Sequence, residues 1–248
     1  MSFLADSFRI AWIDMRFIRR NIATVLVTCL VAPLLYLVAF GYGLGAGMTV
    51  DGRDYISFMI PGVIALTTLT SCVSSVATKV MLQRTYYQSF DELFLCSMSP
   101  SAIVLGKAYA GMMRGLISCA ILYAMGLMLS PDMHLTASAV VLIIASCLTY
   151  GLLGVVSGLL ANSHLTLNLF NSLVVLPMTF LCGTIFSLDR LPEWVQCLIG
   201  MLPLTHTTEC LRSSMLLTDF PWTSLLVMLA YMAVFFAASH RLIGRSRG

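Results

Sequence analysis

The stretch that decides the fold reads LTASAVVLIIASCLTYGLLGVVSGLL, from Leu135 to Leu160. It contains no Asp, Glu, Lys or Arg. As a helix it is longer than the roughly 20 residues needed to cross a hydrocarbon core of about 30 Å. A helix on a water-soluble surface would need a polar face, and this one has none. Five further stretches read the same way, at 22–44, 57–79, 107–129, 165–186 and 222–240. Proline and glycine inside them, as at Pro33, Pro61-Gly62 and Pro177, are tolerated in membrane helices.

Composition agrees with that reading. Of the 248 residues, 59% are apolar and 10% charged, against about 45–50% and about 25% in globular domains. Mean hydropathy is +0.92. The expected fold is an all-α integral membrane protein with six transmembrane helices, forming one transmembrane domain over 1–248. A soluble enzyme, a secreted disulfide scaffold and a nucleic-acid binder are excluded.

The basic residues set the orientation. With the N-terminus in the cytoplasm, that side receives Arg9, Arg16, Arg19, Arg20, Lys79, Arg84, Lys107, Arg241, Arg245 and Arg247. The other side receives Arg53, Arg190 and Arg212. This positive-inside bias places both termini in the cytoplasm.

Residues 1–21 have no cleavable-signal pattern. Leu4, Phe8, Ala11, Met15 and Ile18 recur at helical spacing opposite Asp6, Arg9, Arg16 and Arg20. That predicts an amphipathic interfacial helix anchored by Trp12. The eight cysteines show no C-x-x-C pair and no zinc-ligand spacing. Cys29, Cys72, Cys119 and Cys147 fall in spans as apolar filler, while Cys182, Cys197 and Cys210 lie towards the external side, where two of them either pair in an oxidising periplasm or serve as packing filler.

Two segments depart from a plain six-helix bundle. Between the fifth and sixth spans, 187–221 is too apolar for a solvated loop. Its two runs, 192–201 and 203–217, each open on proline and are too short to cross. They predict an external re-entrant hairpin of half-helices with Asp189, Arg190, Glu193, Glu209 and Arg212 at its wet edges. The second is the cytoplasmic loop 80–106. Within it Tyr86, Phe90, Leu93, Phe94 and Ser97 share one helical face, beside Asp91 and Glu92. Such a helix either rests on lipid or serves as a knob for a cytoplasmic partner, and acids beside anionic lipid favour the partner.

No Asp or Glu lies inside a span and no inverted repeat is apparent, which argues against an ion-coupled carrier. Neither HExxH nor G-x-S-x-G nor a Walker P-loop occurs, so no catalytic site, metal site or cofactor is expected on this chain. The i, i+3 pair His206 and Glu209 reads as a local contact. Arg114, inside the third span, either snorkels to the cytoplasmic headgroups or lines a cavity for an anionic or glycan substrate. Asn168 and Asn171 share a face of the fifth span and either bond across an interface or, with Arg114, line a pathway. G-x-x-x-G occurs at Gly41/Gly45, Gly111/Gly115 and Gly154/Gly158, which predicts tight helix packing without saying between which chains.

Gly183-Thr184-Ile185-Phe186-Ser187-Leu188-Asp189-Arg190-Leu191-Pro192-Glu193-Trp194 resembles the G-x-x-F-x-x-x-x-L-P-x-W signature of the membrane (permease) subunit of type-two ABC exporters. The resemblance continues through Leu202-Pro203-Leu204-Thr205-His206 and Glu209-x-x-Arg212, and covers nearly the whole chain in order. Upstream, Phe90-Asp91-Glu92-Leu93 followed by Ile103-Val104-Leu105-Gly106-Lys107 is similar to the family's coupling-helix region, and Ile60-Pro61-Gly62 is also family-like. Where the family often has proline after the coupling helix, this chain has Ser97, with Pro100 following.

The drug-resistance and nodulation-factor-like branch is the nearest in flavour. The resemblance implies a homodimer or pseudo-dimer carrying two copies of a separate nucleotide-binding ATPase subunit, with ATP and Mg held by that partner. Coupling falls to Tyr86, Phe90, Asp91, Glu92, Leu93 and Phe94. The external gate falls to Gly183, Phe186, Leu191, Pro192, Trp194, Pro203, His206, Glu209 and Arg212. Export of an amphipathic, lipid-, glycan- or drug-like substrate across a bacterial inner membrane is implied in turn. The competing expectations are a secondary carrier or channel, and a membrane scaffold without transport.

Overall fold

A computed structural model of the chain describes residues 3–44, 49–50, 53–87, 99–130, 133–134, 136–181 and 192–245. Ten α-helices follow one another in these segments. They are α1 (Phe3–Arg20), α2 (Ile22–Tyr36), α3 (Tyr55–Thr85), α4 (Pro100–Leu129), α5 (Ala137–Leu160), α6 (His164–Phe170), α7 (Leu176–Leu181), α8 (Glu193–Gly200), α9 (Pro203–Leu216) and α10 (Trp222–Arg245). Wider π-helical turns extend α2 over Leu37–Leu44 and join α6 to α7 over Asn171–Val175. A two-residue antiparallel pair, β1 (Thr49–Val50) with β2 (Arg53–Asp54), closes the turn before α3.

Six helical segments are long and apolar enough to cross a membrane: Ile22–Ala39, Tyr55–Thr85, Pro100–Leu129, Ala137–Leu160, His164–Leu181 and Trp222–Gly244. The number and order match the sequence expectation. The ends differ where the helices outrun their apolar stretches. Hydropathy marks where lipid begins, but the backbone hydrogen bonding that holds a helix together does not stop there. So α3 continues past Lys79 to Thr85. Likewise α4 starts at Pro100 rather than Lys107, with the Ser99 Oγ accepting the Ala102 N–H at 3.3 Å and Pro100 in the first turn. Residues 80–85 and 100–106 of the predicted 80–106 loop are therefore helical. Similarly, α10 runs to Arg245 rather than His240.

The centre of the fold is α3 packed against α4 and α5. Met59, Ile60, Ile64, Leu69, Leu122 and Tyr150 are fully buried there. These helices approach closely because their contacts are made by glycine. A Cβ on Gly111 would stand 2.2 Å from the Val76 side chain, and one on Gly115 2.4 Å from the Cys72 Sγ. On α5, a Cβ at Gly158 would meet the Ala77 carbonyl oxygen at 2.7 Å, and one at Gly151 the Ala108 carbonyl oxygen at 2.8 Å. Two of the three G-x-x-x-G pairs thus serve packing within this chain, while Gly41 makes only an ordinary contact with Ile56.

The N-terminal α1 is helical as expected, and its inner face lies on α4. Ile10 and Ala11 are buried, and a Cβ on Gly106 would overlap Ile10 at 2.8 Å. Ile10 was not on the predicted apolar stripe. Contact with α4 draws in residues one position away from the stripe. Trp12, Arg9 and Arg16 remain exposed.

Candidate functional site

A cavity of about 730 Å³ opens between α2, α3 and α4. Its charged wall residues are Lys79 and Lys107, from the shared end of α3 and α4, and Arg114 further along α4. Lys107 is only 5% exposed, and its Nζ donates to the Gln83 Oε1 at 2.6 Å. Arg114 donates from its Nη2 to the Thr28 Oγ1 at 3.2 Å. Arg114 thus lies on the cavity wall, bonded across to α2. Ser75 and Thr28 also face the cavity, and each hydroxyl donates back to its own helix, to Ser71 and Thr24 carbonyls at 2.6 and 2.8 Å. Asn168, exposed, and Asn171, half-buried, are not among the lining residues. The Asn171 carbonyl instead accepts the Leu176 N–H across the π-helical turn.

At the opposite end of the bundle, 192–217 forms the two short helices expected, α8 and α9. Each begins beside its proline because proline lacks only an N–H that a first turn leaves unpaired anyway. The chain then leaves α9 through Leu217 in the left-handed region, at φ 53°. Although too short to cross, α9 is packed among α3, α5 and α10. Leu204, Cys210, Leu211 and Met215 are wholly buried. Its hydroxyls are satisfied internally: Thr205 donates to the Ile199 carbonyl at 2.8 Å, Thr208 to Leu204 at 2.9 Å, and Tyr150 bonds Thr207 at 2.8 Å. Satisfied hydroxyls let a polar helix sit in an apolar bundle at little cost.

The gate residues expected from sequence fall into two groups. Pro203 is buried, His206 and Glu209 are half-buried, and Pro192 is exposed. The His206 Nε2 bonds the Gly200 carbonyl at 2.8 Å, which requires an Nε2–H donor. Its Nδ1 lies 3.1 Å from the Ser224 Oγ, and Ser224 donates to the Glu209 carboxylate at 2.5 Å. This local network ties α8, α9 and α10 together. Arg212 was expected at a wet edge. It turns inward instead, its guanidinium 3.6 Å from the Phe58 ring centroid and its Nε donating to the Phe58 carbonyl at 3.4 Å. Stacking on an aromatic face recovers part of the charge's lost hydration, which hydropathy does not count. Gly183, Phe186 and Leu191 lie outside the described residues, as does the Trp194 side chain.

At the connection between α3 and α4, Tyr86 is exposed and its ring stands 6.1 Å from that of His164. Tyr87, also exposed, reaches the cavity wall. Phe90, Asp91, Glu92, Leu93 and Phe94 lie outside the described residues. The anchoring of this segment is clear: Arg84 donates to the Leu159 carbonyl, clamping the end of α3 to that of α5.

Of the cysteines in α8 and α9, Cys197 is exposed and Cys210 buried, both as free thiols. Burial pushes the Cys210 thiol up to about 12, and the adjacent Glu209 carboxylate adds to the shift. A raised thiol stays protonated, hence unreactive, throughout pH 7–9. Maleimide treatment of the folded protein at pH 8 should modify Cys197 and spare Cys210 until denaturant is added. Peptide mapping by mass spectrometry reads both sites, and equal modification of the two would contradict this packing.

Residues 8–216 match the family model described as ABC-2 type transporter. The chain is 26% identical over 237 residues to the Escherichia coli K12 protein named inner membrane transport permease YadH, covering 94% of this chain and 92% of that one. It is 28% identical over 193 residues to nodulation protein J of Rhizobium leguminosarum bv. viciae, covering 74% of this chain and 72% of that one. Nodulation protein J of Bradyrhizobium diazoefficiens is 26% identical over a further 193-residue match, covering 74% and 71%.

Proposed function

The chain belongs to the ABC-2 type transporter family, and from that premise we propose that it is the permease subunit of an ATP-driven exporter whose ATPase is a separate chain. Two copies of this chain and two of the ATPase form the working unit. Both termini face the cytoplasm, and the membrane is a bacterial inner membrane, as the name of the Escherichia coli relative has it.

The observation that carries the reading is the length of α3 and α4. They have 31 and 30 residues, each about 45 Å long at about 1.5 Å per residue. A hydrocarbon core of about 30 Å leaves several turns of each outside lipid. The ends that flank 86–99 carry Arg84 and the Ser99 cap, on two mutually packed helices. A push on that segment by an ATPase travels into α3 and α4, which with α2 wall the cavity, and α3 contacts α9 at the far end. Tyr86, Phe90, Asp91, Glu92, Leu93 and Phe94 make the contact with the ATPase. The α8–α9 pair, through Pro192, Pro203, His206, Glu209 and Arg212 with Gly183, Phe186, Leu191 and Trp194, forms the external gate. Arg114 lies on the substrate's path, and Asn168 and Asn171 face the subunit partner.

Extraction of the tagged chain from its native membrane in mild detergent tests the proposal. A soluble Walker-motif ATPase should co-purify in a one-to-one ratio and hydrolyse ATP in the complex. Recovery of the chain without any ATPase, or gradient-driven flux through the chain alone, would overturn it.

A further inference from the structure

The hydrogen bonds that join α8, α9 and α10 need one more proton than a neutral histidine supplies. Three contacts run in series: His206 Nε2 to the Gly200 carbonyl at 2.8 Å, His206 Nδ1 to the Ser224 Oγ at 3.1 Å, and the Ser224 Oγ to the Glu209 Oε2 at 2.5 Å. Each needs a hydrogen of its own. A neutral imidazole brings one, a serine hydroxyl one, and a carboxylate none. The Gly200 carbonyl only accepts, so the imidazole hydrogen is on Nε2. The serine hydrogen then serves either Glu209 or Nδ1, and the contact it leaves would set lone pairs face to face. An oxygen–oxygen distance of 2.5 Å is that of a hydroxyl donating to a charged carboxylate. The serine hydrogen therefore goes to Glu209, and Nδ1 is left to donate.

We propose that His206, Ser224 and Glu209 form a proton-binding latch. The bound proton sits on His206 Nδ1 and completes a relay from the Gly200 carbonyl to the Glu209 carboxylate. With it, α9 is tied at once to the end of α8 and to α10; without it, the link through Nδ1 fails. The Glu209 Oε2 lies 3.9 Å from Nδ1 and adds attraction for the charged ring. The other ionisable groups described around α9 have different settings. Arg212 is stacked on Phe58 of α3, and Cys210 is buried. Tyr150 of α5 bonds Thr207, Tyr231 of α10 donates to the Met201 carbonyl, and Cys197 of α8 is exposed. Asp219, in the turn after α9, shares a hollow with Glu209 and Arg212. Because His206 and Glu209 belong to the gate proposed above, the latch makes that gate sensitive to pH. This consequence rests on the exporter reading; the proton site does not.

Melting of the purified full-length chain in neutral detergent at pH 6 and pH 8 tests the latch. A site that holds a proton more firmly folded than unfolded loses its contribution as pH rises. Imidazole ordinarily titrates near pH 6.5, so the contribution is full below that value and declines above it. The unaltered chain should melt about 3 °C higher at pH 6 than at pH 8. Glu209→Gln keeps the shape and supplies the missing hydrogen from its amide. It should lose that difference and, at pH 8, melt no lower than the unaltered chain. His206→Gln should lose the difference too, while His240→Gln, on α10 and outside the relay, should keep it.

An undiminished difference in Glu209→Gln or in His206→Gln would overturn the proposal, as would a chain that melts higher at pH 8 than at pH 6. Should Glu209→Gln fail to fold, Ser224→Ala decides: it removes the middle of the relay and should lose most of the difference. No ATPase is present in the assay. A chain that shows the latch yet recruits no ATPase overturns only the exporter reading, and the converse result overturns only this one.

Discussion

Gly158→Val should leave little or no folded chain in the membrane. A Cβ at this position would stand 2.7 Å from the Ala77 carbonyl oxygen and 2.8 Å from the Val80 Cβ. The first obstacle is backbone, so no rotamer change relieves it and α3 must move away from α5. Overpacking of a close-packed interior costs about 1–3 kcal/mol, occasionally more. The upper part of that range applies here because Gly154 packs in the same seam, against Val73 and Val76. Gly151→Val should behave alike against the Ala108 carbonyl on α4. Gly244→Ala is the control: nothing lies within 4 Å of its position, and alanine favours the helix. Membrane-inserted yield and detergent melting temperature are the measurements. A Gly158→Val chain with unaltered melting would show that the α3–α5 seam is looser than described.

Joint replacement of Phe90 and Glu92 by alanine should abolish ATP-driven export while leaving the chain folded and inserted. The proposal assigns both side chains to the ATPase contact rather than to the core, so melting temperature should stay within a degree or two. Losing an aromatic anchor and a charged contact from one small interface removes several kcal/mol of docking energy. That corresponds to at least about a hundredfold weaker assembly with the ATPase. Transport should be lost, and the ATPase either dissociates or hydrolyses ATP without export. Undiminished export by the double variant would remove 86–94 from the coupling path.

The six spans were legible because apolar length is a one-dimensional property that the bilayer imposes directly. The proline-led α8 and α9 were legible for a related reason: Pro192 and Pro203 mark helix starts in the sequence itself. Helix ends were not. Lys79, Gln83 and Lys107 look like loop residues to hydropathy, yet continuous hydrogen bonding carries α3 and α4 past them.

Relations between helices were beyond the sequence for a different reason. Gly154 and Gly158 announced close packing, but their partners on α3 lie some eighty positions away. The cavity is less legible still. Thr28, Lys79 and Lys107 are unremarkable singly, and they share one space with Arg114 only because three helices bring them together. Arg212 shows the limit of counting charges, since its inward turn depends on the Phe58 ring being at hand.

Whether the segment after α3 meets an ATPase or merely rests on lipid separates the exporter account from its alternatives. A photo-crosslinking phenylalanine analogue at position 90, illuminated in intact cells, reads that contact directly. The account predicts a covalent adduct between this chain and a Walker-motif ATPase, lost when Glu92 is also replaced. Adducts to lipid alone, with no ATPase attached, would contradict it.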